Sequence, residues 1–144
     1  MKHWQTIERK KVYEGRIGVY EDLVRLPSKK VIKHVFLDIP DGVGVVALDG
    51  EKILLVKQYR YAIRKCVWEI PAGSIDKGET PVQAARRELL EETSYEAKQV
   101  KAIGYVNVLT GMSGFKDWVC IAQDLEKRKQ LPSEATELGM QVKF

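Results

Sequence analysis

Glu88, Glu91 and Glu92 stand at i, i+3 and i+4. At ~100° per residue on a helix they share one face, with Glu91 and Glu92 on either side of Glu88. Like charges at this spacing each destabilise a helix by about 0.2–0.5 kcal/mol. They also lie toward its C-terminus, where the macrodipole disfavours anions. Arg87 can pair with Glu91 one turn on, but Glu88 then still faces Glu92. Two readings account for such a cluster: a solvated surface on which water screens the repulsion, or a seat for a cation. The segment ahead of the helix favours the cation. Gly73-Ser74-Ile75-Asp76-Lys77-Gly78-Glu79 is a glycine-bounded loop, and Ala72-Gly73 brings bare backbone close to the helix face. Carbonyl oxygens and clustered carboxylates are hard ligands that suit Mg²⁺ or Mn²⁺ and suit zinc poorly. The two histidines, His3 and His34, are far away in sequence. A divalent ion here would offset the clustered charge and hold phosphate oxygens at the same time.

These residues need a helix and a sheet to hold them. Thr80 predicts an N-cap, Pro81 the first helical position, and Gln83 completes a Thr-x-x-Gln capping box. The helix should run to about Thr93 or Ser94, with Val82, Ala85 and Leu89 on one side and Leu90 beside them. Most of the remainder reads as strands. Residues 12–19 alternate as a strand, and Val31 to Leu37 is rich in β-formers. Asp41-Gly42 is a candidate turn before Val43 to Leu48, and Asp49-Gly50 a hairpin turn before Ile53 to Val56. Val67 to Ile70, Gln99 to Val108, Trp118 to Ala122 and Met140 to Phe144 complete the set. The expected fold class is α+β, a mostly β body with one well-specified helix.

At 144 residues, 44% hydrophobic and 31% charged, the chain suits one compact domain, and no repeat, low-complexity tract or linker marks a boundary within residues 1–144. No apolar run approaches the ~18 residues of a membrane span, and Met1 to Lys11 has no apolar h-region. Cys66 and Cys120 are isolated, as expected of small core residues in a reducing cytoplasm. The net charge of +4 is modest. Lys10-Lys11, Lys29-Lys30 and Lys127-Arg128-Lys129 are short and scattered, so no nucleic-acid or membrane partner is expected.

The region around the helix resembles the Nudix hydrolases. Their box places Gly, Glu, Arg-Glu and Glu-Glu at fixed intervals, matched here by Gly73, Glu79, Arg87-Glu88 and Glu91-Glu92 with Leu89 at the aliphatic position. Ser94 stands where the family has glycine, and Tyr95 where it usually has an aliphatic residue. The glycine position is a helix C-cap, at which positive φ costs a residue with a Cβ about 1 kcal/mol. The resemblance implies a Nudix fold, a mixed β-sheet body with the box helix packed against it as an α/β/α sandwich. The C-terminal helix of that sandwich has no counterpart before Phe144. It also implies that Glu88 and Glu92 ligate metal, with Glu91 close by and the Ala72 carbonyl contributing. Glu79 and Arg87 form a structural pair with Gly73 in the motif. The implied reaction is metal-assisted attack of water on a phosphorus of a substituted diphosphate, with Glu92 and Glu91 as catalytic candidates.

The flanks, Val56 to Tyr61 and Trp68-Glu69-Ile70-Pro71-Ala72-Gly73, look like the ADP-ribose pyrophosphatase group. That likeness puts Gln58, Arg60, Arg64, Trp68 and Glu69 in substrate binding. Arg60 and Arg64 could hold phosphate, and Tyr59, Tyr61 or Trp68 could stack on a base. Equally, alternate residues of Val56 to Tyr61 could be core, with Trp68 packed under the helix. Gly114-Phe115 falls where the group carries a loop lining the cleft. Glu134 or Glu137 falls where it carries a catalytic glutamate on a loop before the last strand. The group's N-terminal strands, here about 11–40, pair across a homodimer. The expected activity is thus hydrolysis of a nucleoside-diphosphate sugar, ADP-ribose to AMP and ribose 5-phosphate. The alternatives are another nucleotide sugar such as GDP-mannose, or an idle Nudix-shaped nucleotide-binding module.

Overall fold

The computed structural model describes residues 3–129 and 140–144. Its contacts group into two units, residues 1–40 with 107–116, and residues 41–106 with 117–144.

The first unit is an antiparallel sheet in the order β1 (Gln5–Glu14), β2 (Gly18–Arg25), β3 (Val31–Asp38). The alternating run expected over residues 12–19 is in fact two strands and a bend at residues 15–17. Gly15 allows the bend because the Tyr13 ring packs onto the space a Cβ would fill. On one face the Arg9 guanidinium makes a two-point ion pair with Asp22 (2.9 and 2.7 Å) and lies 4.2 Å from the Phe36 ring centroid. The Leu37 N–H donates to the Met112 carbonyl at 2.8 Å, tying residues 107–116 to β3.

The second unit holds β4 (Gly42–Asp49), β5 (Lys52–Ile53), β6 (Leu55–Arg60), β7 (Lys65–Glu69), β8 (Ala72–Ser74), α1 (Pro81–Thr93), β9 (Tyr95–Val106), β10 (Asp117–Lys127) and β11 (Gln141–Lys143). One mixed sheet runs β5-β4-β10-β9, with β8 paired to β4, β10 parallel to β4 and antiparallel to β9. A second sheet runs β11-β6-β7. Asp49-Gly50 makes the expected hairpin, with Gly50 at φ 58°. The run expected as one strand over Ile53 to Val56 breaks at Leu54, where the chain leaves the first sheet for the second. Asp41-Gly42 is extended rather than a turn, with the Asp41 carbonyl accepting from Ile75 N–H at 2.8 Å.

Helix α1 packs on β9, β4, β8 and β10. The core between them takes Val43, Val45 and Ala47 from β4, Cys120 and Ala122 from β10, and Ala84, Ala85 and Leu89 from the helix. Thr80 caps the helix as expected and exchanges both capping-box bonds with Gln83. The helix ends at Thr93, and Ser94 takes the left-handed conformation at φ 61°. The buried stripe is rotated from the expected one: Ala84, Ala85, Glu88, Leu89 and Thr93 are buried, while Val82 and Leu90 are half-buried. This is the only helix among the described residues, and it is too short to cross a membrane.

Candidate active site

The arrangement around α1 is built on a backbone contact. β8 is hydrogen-bonded along β4, placing Gly73 beside Val43 and Ala72 beside Gly44. The Glu88 carboxylate lies directly on Gly73, where any Cβ would overlap it. A side chain at position 73 would force the Glu88 carboxylate to move. On the same helix face the Glu92 carboxylate accepts from the Ala72 N–H at 3.0 Å. Helix and loop are therefore joined through the acids themselves.

Arg87 organises the remaining charge. Its Nε and one terminal nitrogen form a fork on Glu79 (3.1 and 2.9 Å), and the same terminal nitrogen donates to the Ser74 carbonyl at 2.9 Å. The other terminal nitrogen reaches Glu88 at 2.7 Å and Glu91 at 3.2 Å, and Asp76 stands at 3.9 Å. The fork holds the Glu79 carboxyl below its usual pKa and raises that of the Arg87 guanidinium. Glu79 also accepts from the Asp76 N–H at 3.1 Å. The expected Glu79–Arg87 pair is thus present, and it closes the loop onto the helix.

The three glutamates differ in exposure. Glu88 is buried, Glu92 half-buried and Glu91 exposed. As donors they suit a hard divalent cation: carboxylates from adjacent turns, backbone carbonyls of β8 nearby, and no His or Cys among them. No three His, Cys, Asp or Glu side chains among the described residues converge into a ready cage. Glu88 and Glu91 lean to Arg87, and Glu92 to the Ala72 N–H. At Ala72 the N–H is engaged by Glu92.

The candidate substrate residues separate by strand register. Val56 pairs with Glu69, Gln58 with Val67 and Arg60 with Lys65, so Gln58, Arg60 and Glu69 share one face of the β6–β7 hairpin. There the Arg60 Nε donates to Glu69 at 2.8 Å. Trp68 pairs with Lys57 on the opposite face. It neither joins Arg60 nor packs under the helix. It is adjacent to Glu69, and consecutive residues of a strand face opposite ways. Arg64 sits in the hairpin turn at φ 53°. Gly114 and Phe115 belong to the first unit, where the Phe115 N–H donates to the Ser113 hydroxyl at 3.2 Å. Glu134 and Glu137 lie outside the described residues.

Two participants escaped sequence reasoning. The Ser74 carbonyl shares Arg87 with Glu79, a backbone role that carries no side-chain signal. Asp117 opens β10 opposite Gly42, its Oδ1 3.0 Å from where a Cβ on Gly42 would stand, and burial raises its pKa. Its position follows from a parallel pairing of strands more than seventy residues apart in the chain, which local patterns do not announce.

The NUDIX domain profile matches residues 38–139. The ADP-ribose pyrophosphatase of Bacillus subtilis is 35% identical over 96% of this chain and 77% of its own. The methanol dehydrogenase activator of Bacillus methanolicus is 36% identical over 87% of this chain and 69% of its own. An ADP-ribose pyrophosphatase of Mycobacterium tuberculosis is 30% identical over 95% and 69%. A solved structure described as an ADP compounds hydrolase superposes with a TM-score of 0.87 at 18% identity, covering 99% of this chain and 77% of that one, and shares the fold. A profile spanning most of the chain and relatives above 30% identity along nearly all of it establish that this protein belongs to the Nudix hydrolase family.

Proposed function

We propose that this Nudix hydrolase cleaves the diphosphate of a nucleoside-diphosphate sugar, with ADP-ribose as substrate and AMP and ribose 5-phosphate as products. The observation that carries the reading is the acid-lined contact of α1 with β8, where Glu88 rests on Gly73 and Glu92 on the Ala72 N–H. Glu88, Glu91 and Glu92, with the Ala72 carbonyl, would hold Mg²⁺ or Mn²⁺. Such an ion supplies activation of water and offsets charge on the phosphoryl oxygens.

The chain's own residues have separable tasks. Arg87 keeps Glu88 and Glu91 in place while neutralising part of their mutual repulsion. Glu92, half-buried with its carboxylate accepting from the Ala72 N–H, is the acid assigned to activating the reacting water. Arg60, held by Glu69 in a half-exposed ion pair, presents the remainder of its planar fork to a phosphate oxygen, and Gln58 lies on the same face. ADP-ribose is favoured as substrate by the two relatives named for that activity, each aligned along nearly the whole chain. The apolar surface of the first unit's sheet supports a homodimer.

The test is incubation with ADP-ribose, with and without Mg²⁺, with the products separated by chromatography. Metal-dependent release of AMP and ribose 5-phosphate is the expected result. Intact ADP-ribose alongside turnover of GDP-mannose would move the substrate to another nucleotide sugar. The Glu92→Gln variant should lose at least 100-fold in turnover while keeping its fold, since the change also relieves like-charge repulsion. An idle nucleotide-binding module is the second reading. It is disfavoured because every charged residue of the box is present, and the Glu79–Arg87 pair is formed.

A further inference from the structure

The β6–β7 hairpin has a one-sided charge. From Lys52 to Trp68 the chain contains no aspartate or glutamate, yet it carries Lys57, Arg60, Arg64 and Lys65 interleaved with Tyr59, Tyr61 and Trp68. The first acid after this run, Glu69, is spent on Arg60 on the face that holds Gln58. The paired positions of the opposite face are basic and aromatic, with no acid among them. Lys57 pairs with Trp68 and Gln141 with Lys57, while Lys143 pairs with Leu55. Strand alternation puts Lys57, Tyr59, Trp68 and Lys143 on that one surface.

The side chains meet there. The Lys143 ammonium stands 4.1 Å from the Trp68 ring centroid, and that of Lys57 5.7 Å. Two cations crowd one indole with no carboxylate at any paired position of the face. The rings are open to a ligand, with Trp68 37%, Tyr59 57% and Tyr61 78% exposed. Each cation–π contact is worth about 0.5–1 kcal/mol at an exposed site, so a ligand offering a flat ring and an anion can displace either ammonium from the ring and keep it as a counter-ion. These residues lie along one face of a sheet, which suits a strand laid across it. Tyr59 and Trp68 are diagonal neighbours, ~7–8 Å apart along the sheet, a spacing that splays two consecutive bases rather than stacking them on each other.

We propose that the face carrying Lys57, Tyr59, Trp68 and Lys143 binds single-stranded nucleic acid, with bases stacked on Trp68 and Tyr59 and backbone phosphates on the two lysines. This is the combination of stacking platform and basic track that single strands recognise. The lysines look scattered along the sequence because Lys143 reaches the hairpin only through β11. The proposal does not depend on the substrate of the helix-face site.

The test uses a fluorescein-labelled 12-nucleotide single-stranded RNA of mixed sequence, with fluorescence anisotropy read at 50 and 200 mM salt. Saturable, salt-weakened binding is expected. Trp68→Ala should weaken it by about 5- to 100-fold, the cost of one lost stacking partner. Lys143→Glu should weaken it and flatten the log–log salt slope by about one, leaving hydrolysis at the helix-face site unchanged. Circular dichroism checks that both variants are folded. No saturable binding by the unaltered protein overturns the proposal. So do equal affinity in both variants, equal affinity for a duplex of the same sequence, or complete displacement by 1 mM AMP, which would make the occupant a free nucleotide.

Discussion

Arg87 touches more of the site than any other described side chain, and its partners explain how a cluster of like charges survives in a folded protein. One guanidinium serves Glu79, Glu88 and Glu91 while also capping the Ser74 carbonyl. The pKa of Glu79 is depressed in the folded state, so the stability it contributes is fully present above its unfolded value and is lost as pH falls through the lower folded value. Asp22, held below its usual range by Arg9, acts in the same sense. Asp117 acts in the opposite sense, because burial raises its pKa and its penalty disappears on protonation. Urea denaturation should therefore give a nearly constant midpoint from pH 7 to pH 5 and a falling one below about pH 4, where model carboxylates protonate. In Glu79→Gln the neutral-pH midpoint should drop toward the acid value and the acid dependence should shrink. An unchanged acid limb in that variant would show that the fork on Arg87 is not what links stability to pH.

At the scale of elements, α1 is specified at both ends and strained at one. Thr80, Pro81 and Gln83 make an N-terminus that is recognisable without any tertiary information, because all its bonds are local. Its other end closes on Ser94 at φ 61°, with the Ser94 N–H donating to the Leu90 carbonyl at 2.8 Å. The left-handed cap is made even though the residue carries a Cβ. Ser94→Gly should raise stability by about 0.5–1 kcal/mol, read as a higher thermal midpoint with activity retained. A lower midpoint would mean that the serine side chain makes a compensating bond. The β6–β7 hairpin shows the complementary case. Its strands were legible as β-formers, but whether Arg60 or Trp68 shares a face with Gln58 depends on register, and register is decided by the pairing partner.

For the whole molecule, the first unit's three-stranded sheet has two edges, β1 and β3, and every residue of β1 is exposed. One face carries Tyr13, Val31 and Val35, exposed at 59, 47 and 47%. Apolar residues on one face of so small a sheet are what a second copy of the chain would cover. Sedimentation equilibrium should give a mass near twice 16.4 kDa, and Val35→Lys should shift it toward the monomer. A single 16.4 kDa species across the concentration range would remove the dimer.

Taken alone, the sequence determined the local and the periodic: a helix from Thr80 to Ser94, the face its glutamates share, the Glu79–Arg87 pairing and the family they belong to. These rest on spacings of three, four and eight residues, short enough for helix geometry and one loop to decide. Tertiary structure decided the burial of Glu88 on Gly73, the approach of Asp117 to Gly42, and the opposite faces taken by Arg60 and Trp68. Each of these depends on which strand pairs with which and in what register, and that is settled by burying a common core rather than by any residue's neighbours in the chain.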